Sequence, residues 1–173
     1  MSARTPPRRR YSRLQITLHW GVAALLGLQL LINADLRIAF RARLAGEGGL
    51  WPEALLAGLH LVVGTLILAL MLLRFFVRLQ APEHAPPPGS VPPWLHLIAQ
   101  IAHLTLYAVV IGMALAGLAA WLFASPLAGT LHEAGRFFLV LLILAHVAGA
   151  LVEHHMLSNP VLDHITGQIP ERD

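Results

Sequence analysis

The sequence predicts an all-α integral membrane protein, a four-helix bundle of up-down topology with both termini cytoplasmic, and three observations predict it. Only 12% of its 173 residues are charged and 57% are hydrophobic, whereas a soluble domain carries about 25% charged residues. The deficit is local. From His84 through His132 there is no Asp, Glu, Lys or Arg; such a stretch aggregates in water and is a solvated surface in lipid. Finally, the apolar residues fall into four runs, each reaching the ~20 residues that cross a bilayer as a helix.

The four spans are expected at about 14–34, 53–78, 94–123 and 130–156, within a single transmembrane domain covering residues 1–173. Ser12 is placed to N-cap the first span. Arg8, Arg9 and Arg10 before it resemble the charged start of a signal peptide. However, the run from Ile16 to Ile32 is long for such a segment and no small-x-small cleavage site follows it, so the span reads as a retained helix. Pro52 lies where a first-turn proline is tolerated at the start of the second span, and Arg74 and Arg78 close its far side. Pro82, Pro86, Pro87, Pro88, Gly89, Pro92 and Pro93 then break the helix. The third span stops at Ser125-Pro126. The fourth follows after a few residues, Ala124 to Thr130, which makes these two helices antiparallel neighbours; Glu133 and Arg136 lie near its start.

Orientation follows from arginine, because positive charge concentrates on the cytoplasmic side. Arg4, Arg8, Arg9, Arg10 and Arg13 precede the first span and Arg74 and Arg78 end the second, against Arg37, Arg41, Arg43 and Arg136 on the opposite side. The expected location is a bacterial inner membrane, crossed several times. Trp20, Trp51, Trp94 and Trp121 fall near span ends, where aromatic belts form.

Composition excludes much chemistry. Cysteine is absent, which removes disulfides, thiolate ligation and iron–sulfur clusters. Every basic residue is Arg, so Schiff-base chemistry is excluded as well. The arginines form no stripe interleaved with aromatics, so nucleic acid is not an expected partner.

Ten histidines in so apolar a chain are a surplus, since an ionisable group inside a membrane is expensive and is usually functional or paired. His132 and His146 share the fourth span, fourteen residues apart. At 100° and 1.5 Å per residue, that spacing returns to within about 40° of one face and covers ~21 Å. One helix thus offers two imidazoles along one stripe. With alternating helix directions, His19 in the first span falls at the level of His146, and His60 in the second at the level of His132. Two facing imidazoles form the bis-histidine arrangement of a b-type haem, and this set would hold two haems. Gly135, Gly149 and Gly64, one turn from these histidines, would leave room for flat macrocycles. The plainer alternatives are a proton relay, inter-helical hydrogen bonds, and small-residue packing of membrane helices.

The segment from Tyr11 to Trp20 resembles the opening of bacterial cytochrome b561 proteins, especially the superoxide oxidase branch. Leu59 to Gly64, His103 with Tyr107, and Leu131-His132-Glu133 through His146 to His154-His155 are similar as well, so the resemblance covers nearly the whole chain. It implies a four-helix bundle with two haems b ligated by His19, His60, His132 and His146, exchanging electrons with ubiquinone. In the superoxide oxidase branch it implies superoxide oxidation at the periplasmic face and quinone reduction near the cytoplasmic face, with Arg13, Trp20 and His154 at the quinone site. The chain departs from that branch in its short connection between the third and fourth spans. It also has Glu153 where the branch carries its first C-terminal histidine.

Other residues read two ways. His103 and Tyr107 either hydrogen-bond a haem propionate or pack between helices. His84, His96 and His164 lie in or beside loops and are expected to be solvated. His154 and His155 either couple quinone chemistry to protons or form an interfacial cap. Arg37, Arg41 and Arg43 either steer an anion or bind lipid phosphates. The sequence therefore predicts a dihaem membrane cytochrome linking a periplasmic donor to ubiquinone. It would act alone as a superoxide:ubiquinone oxidoreductase or serve as the cytochrome b subunit of a larger redox complex docked on a soluble partner. A haem-free, histidine-lined metal or proton transporter is the rival from another class, and it lacks the acidic pathway it would need.

Overall fold

The computed structural model describes residues 11–32, 36–47, 53–80, 92–156 and 161–167. Six helices follow one another: α1 (Arg13–Leu31), α2 (Leu36–Leu44), α3 (Glu53–Gln80), α4 (Pro93–Phe123), α5 (Pro126–Met156) and α6 (Val161–Thr166). There is no strand among the described residues. The segments Arg13–Leu31, Ala54–Gln80, Pro93–Phe123 and Pro126–Met156 are long and apolar enough to cross a membrane, which matches the four expected spans. Arg4, Arg8, Arg9, Arg10, Trp51, Pro52, Pro82, His84, Pro86, Pro87, Pro88 and Gly89 lie outside the described residues, as does the side chain of His164.

Local chemistry sets the helix ends. Ser12 accepts from the Gln15 backbone N–H at 3.2 Å, while the Gln15 side chain accepts from the Ser12 N–H at 2.8 Å. This reciprocal capping box starts α1. Pro92 occupies the N-cap of α4 and Pro93 its first turn, so the proline-rich segment ends by starting a helix.

The start of α5 differs from expectation. It begins at Pro126, not Thr130, because a proline that breaks a helix interior fits its first turn, where the N–H has no partner anyway. Ala124 turns the chain with φ +48°, and the Ser125 hydroxyl then accepts from the Ala128 N–H at 3.3 Å. The connection is thus only Ala124 and Ser125. A left-handed residue with a Cβ costs about 1–2 kcal/mol, offset in part by glycine's larger entropy loss. Ala124→Gly is therefore expected to stabilise the fold by up to about 1 kcal/mol, read as a higher unfolding midpoint in detergent.

The helices pack as membrane helices do. α5 lies closely on α4, α3 packs on both α4 and α1, and α2 rests on α3. α5 approaches α1 and α3 only across wider gaps. The small core is formed by Val22, Val63, Ile67, Met71, Tyr107, Val110 and Leu139. Large apolar side chains such as Leu59, Val62, Phe76, Leu104, Phe137 and Leu144 point outward, the inverse of a water-soluble protein.

Candidate haem-binding histidines

The gaps between α5 and its neighbours are spanned by imidazoles. His60 of α3 faces His132 of α5 with ring centres 5.9 Å apart, and His19 of α1 faces His146 of α5 at 6.3 Å. These are the two pairings that helix periodicity predicts. Imidazoles bound to opposite faces of one metal, with metal–nitrogen bonds of ~2 Å, stand about 6 Å apart ring to ring.

At the end of the bundle covered by α2, His60 and His132 line a cavity of about 460 Å³ together with Arg37, Arg41, Glu133 and Arg136. That volume falls within the ~300–1,000 Å³ of cofactor sites. His132 Nδ1 donates to the carbonyl of Met113 on α4 at 2.8 Å. With the proton fixed there, Nε2 is a bare lone pair, the form a metal requires. Gly117 makes this approach possible. A Cβ at that position would stand 2.7 Å from His132 Nδ1, and residue 117 is also the helical partner of the Met113 carbonyl, one turn away. His60 Nδ1 is buried with no hydrogen-bond partner. Beside it, Gln29 of α1 donates to the His60 carbonyl at 2.7 Å and leaves its own buried Oε1 without a partner.

Of the glycines expected to clear space for a macrocycle, Gly135 and Gly64 meet protein side chains instead. A Cβ on Gly135 would collide with the Met113 side chain, so this glycine permits the close contact of α4 with α5. Gly64 makes room for the Gln29 amide, and Gly149 faces open space. Gly117 and Gln29 were not singled out from the sequence; both lie on helices that contribute no imidazole to the His60–His132 pair.

The arginine rim also resolves into distinct roles. α2 is an amphipathic helix between the first two spans, where the sequence predicts no helix. It is fastened down by Arg37, which pairs with Glu133, and by Arg43, which donates to the Trp121 carbonyl at 3.3 Å and lies 5.9 Å over its ring. Both groups of the Arg37–Glu133 pair are at least half exposed, so the pair contributes little stability. Arg41 and Arg136 face the cavity.

At the other end, His103 of α4 stands 5.1 Å from His146, closer than two imidazoles on opposite faces of one metal, and Trp20 meets His19 edge-on at 5.3 Å. Tyr107 is buried and its hydroxyl accepts from Arg74 Nε at 2.9 Å. The Trp20 indole N–H is spent on the carbonyl of Ile165 in α6 at 2.9 Å. His154, half-buried with a buried Nδ1 lacking a partner, packs against His155 at 4.9 Å. Arg13 is exposed at the start of α1. Trp20 and His154 thus reach the end of the bundle marked by α6. His96, expected to be solvated, is half-buried in the first turn of α4, where the Gln100 amide reaches its ring nitrogen at 2.9 Å.

Among the described residues no three His, Cys, Asp or Glu converge to hold an ion by themselves. What the bundle supplies are imidazole pairs, and a haem iron draws its other ligands from the porphyrin. The fixed tautomer of His132, the cavity beside it and the gaps flanking α5 all fit that group.

The comparisons with known proteins agree. A family model described as prokaryotic cytochrome b561 matches residues 10–168. A cytochrome b562 of Cereibacter sphaeroides is 30% identical over 154 residues, covering 88% of this chain and 92% of that protein. No solved structure matches.

Proposed function

The chain belongs to the prokaryotic cytochrome b561 family of membrane electron-transfer cytochromes, and from that premise we propose that it holds two haems b and carries electrons between a periplasmic donor and ubiquinone. The observation that carries this reading is the α5 stripe, in which two imidazoles fourteen residues apart each face an imidazole from another helix at about 6 Å. His60 and His132 would hold one haem, His19 and His146 the other. Haem iron, when bound, takes up and releases single electrons. The Met113 carbonyl fixes the His132 ring, and the α5 stripe sets the two sites ~21 Å apart along one helix.

The α6 end is assigned to the cytoplasmic side from the arginine distribution, and quinone is assigned to that end, near Trp20, His154 and Arg13. Trp20 would line the site with its ring, since its N–H is engaged with Ile165. In the first form of the proposal the chain is a superoxide:ubiquinone oxidoreductase acting alone in the inner membrane. The two-residue connection Ala124–Ser125 and the cavity-facing Arg41 and Arg136 favour a second form. In it the α2 end receives a soluble redox partner and the chain is the cytochrome b subunit of a larger complex.

A reduced-minus-oxidised spectrum with haem quantification tests the core of this reading. Two haems per chain are expected; a colourless protein after haem-sufficient expression would end it. Reduction of quinone by superoxide in the purified chain selects the first form, and stable co-purification with a dehydrogenase or c-type cytochrome selects the second. Gly117→Ala supplies a finer check. The added methyl displaces His132 from the Met113 carbonyl, and outer-shell losses of this kind weaken metal sites about 10- to 100-fold. The haem-to-chain ratio after extended dilution in detergent is expected to fall from two toward one.

A further inference from the structure

The histidine stripe of α5 has a counterpart on α3. Arg74 follows His60 by the same fourteen residues that separate His146 from His132. α3 and α5 run in the same direction in the alternating bundle, so α3 presents an imidazole at one level and a guanidinium on nearly the same face ~21 Å further on. The contacts place that guanidinium. Arg74 donates to the hydroxyl of buried Tyr107 at 2.9 Å. Tyr107 is one helical turn from His103, whose ring stands 5.1 Å from His146. Arg74 is also within electrostatic range of His19.

Arg78, one turn further along α3, lies 5.5 Å over the Tyr107 ring, and Arg74 lies 6.0 Å from the same ring. Two half-buried guanidinium groups thus converge on one phenol. Among the described residues no carboxylate pairs with Arg74. A cation withdrawn from water without a countercharge is costly, so such a site takes an anion, and a planar guanidinium matches a carboxylate.

We propose that Arg74, oriented by the Tyr107 hydroxyl and supported by the charge of Arg78, is a seat for a carboxylate beside the His19–His146 pair, and that this carboxylate is a propionate of the haem held there. The inference rests on the dihaem reading above and deepens it. A fixed cation next to a redox centre favours the form carrying the extra electron. Arg74 therefore raises the midpoint potential of this haem above the value it would have without that charge. Arg74 is a positioning residue: it touches the cofactor's edge and takes no part in ligation.

The test uses the full chain with both haems, by redox titration of Arg74→Gln, Arg74→Lys and Tyr107→Phe. Arg74→Gln is expected to lower the reduction equilibrium constant of one haem about tenfold, ~59 mV for a one-electron couple. The haem affected is the one that His146→Ala removes. Arg74→Lys keeps most of the potential, and Tyr107→Phe shifts it in the same direction by less. Selective loss of that haem in Arg74→Gln, with retention in Arg74→Lys, is the same result read as binding.

The inference is overturned by unmoved potentials in Arg74→Gln, by a shift confined to the other haem, or by loss of both haems in both Arg74 variants. The carboxylate's source is read by redox-difference infrared spectra of protein loaded with haem labelled with carbon-13 at its propionates. Labelled bands that move in Arg74→Gln support the assignment, and bands indifferent to Arg74 assign the seat to another anion such as a lipid phosphate and overturn it. A wild-type chain without haem would instead remove the dihaem reading itself, before any variant is compared.

Discussion

His132→Ala is expected to leave one haem per chain where the wild type carries two, with the remaining haem spectrally unchanged. The reason lies in how completely the structure commits this ring. Its Nδ1 is held by the Met113 carbonyl at 2.8 Å, its partner His60 stands 5.9 Å away ring to ring, and Gly117 keeps the position clear. Truncation to alanine removes a ligand and leaves His60 facing an enlarged cavity with no second nitrogen. Loss of an outer-shell partner already costs a metal site about 10- to 100-fold in affinity, so loss of the ligand itself exceeds that range. His60→Ala should remove the same haem, and the double variant should do no more than either single one, because the two act as one unit. Haem analysis per chain and the α-band of the reduced protein check this; a His132→Ala protein that retains both haems refutes the pairing.

Much of this architecture was legible in the chain, for identifiable reasons. Helical spans follow from apolar run length, which the bilayer fixes, and the N-cap of α1 from Ser12 ahead of the first apolar run. The two pairs of histidines followed from the fourteen-residue spacing on one helix, which sets two levels, together with the alternating directions of the spans, which place one partner at each. The errors share a cause. Pro126 was taken for a breaker because its position relative to the helix start was unknown, and the same residue type ends or begins a helix according to that position. α2 was missed because its nine residues carry only a short apolar spacing, at Leu36, Phe40 and Leu44, amid arginines. Gly135 and Gly64 were assigned to the wrong neighbour, and Gly117 was overlooked. What a glycine makes room for depends on which helix lies opposite, and no pattern within one helix encodes that. Arg74 shows the opposite case. Its fourteen-residue spacing from His60 was present in the sequence, but an arginine near a span end is ordinarily an interfacial anchor, and only the contact with Tyr107 separates the two roles.

The second large effect concerns His146, where three imidazoles compete for two places. His19 is 6.3 Å from it and His103 is 5.1 Å from it, ring centre to ring centre. A haem iron between two imidazoles requires about 6 Å, which His19 supplies and His103 does not. His103 also projects from α4, packed directly on α5, whereas His19 projects across the wider gap between α1 and α5. A macrocycle needs the gap. His146→Ala and His19→Ala are therefore each expected to lose the haem that His132→Ala retains, while His103→Ala keeps both haems and alters only the environment of this one. The spectra separate the alternatives cleanly: loss of a haem in His103→Ala with retention in His19→Ala would transfer the ligand role to α4. The same result would move the haem plane out of the α1–α5 gap, where Trp20 and α6 close the end of the bundle, and the quinone assignment at that end would have to move with it.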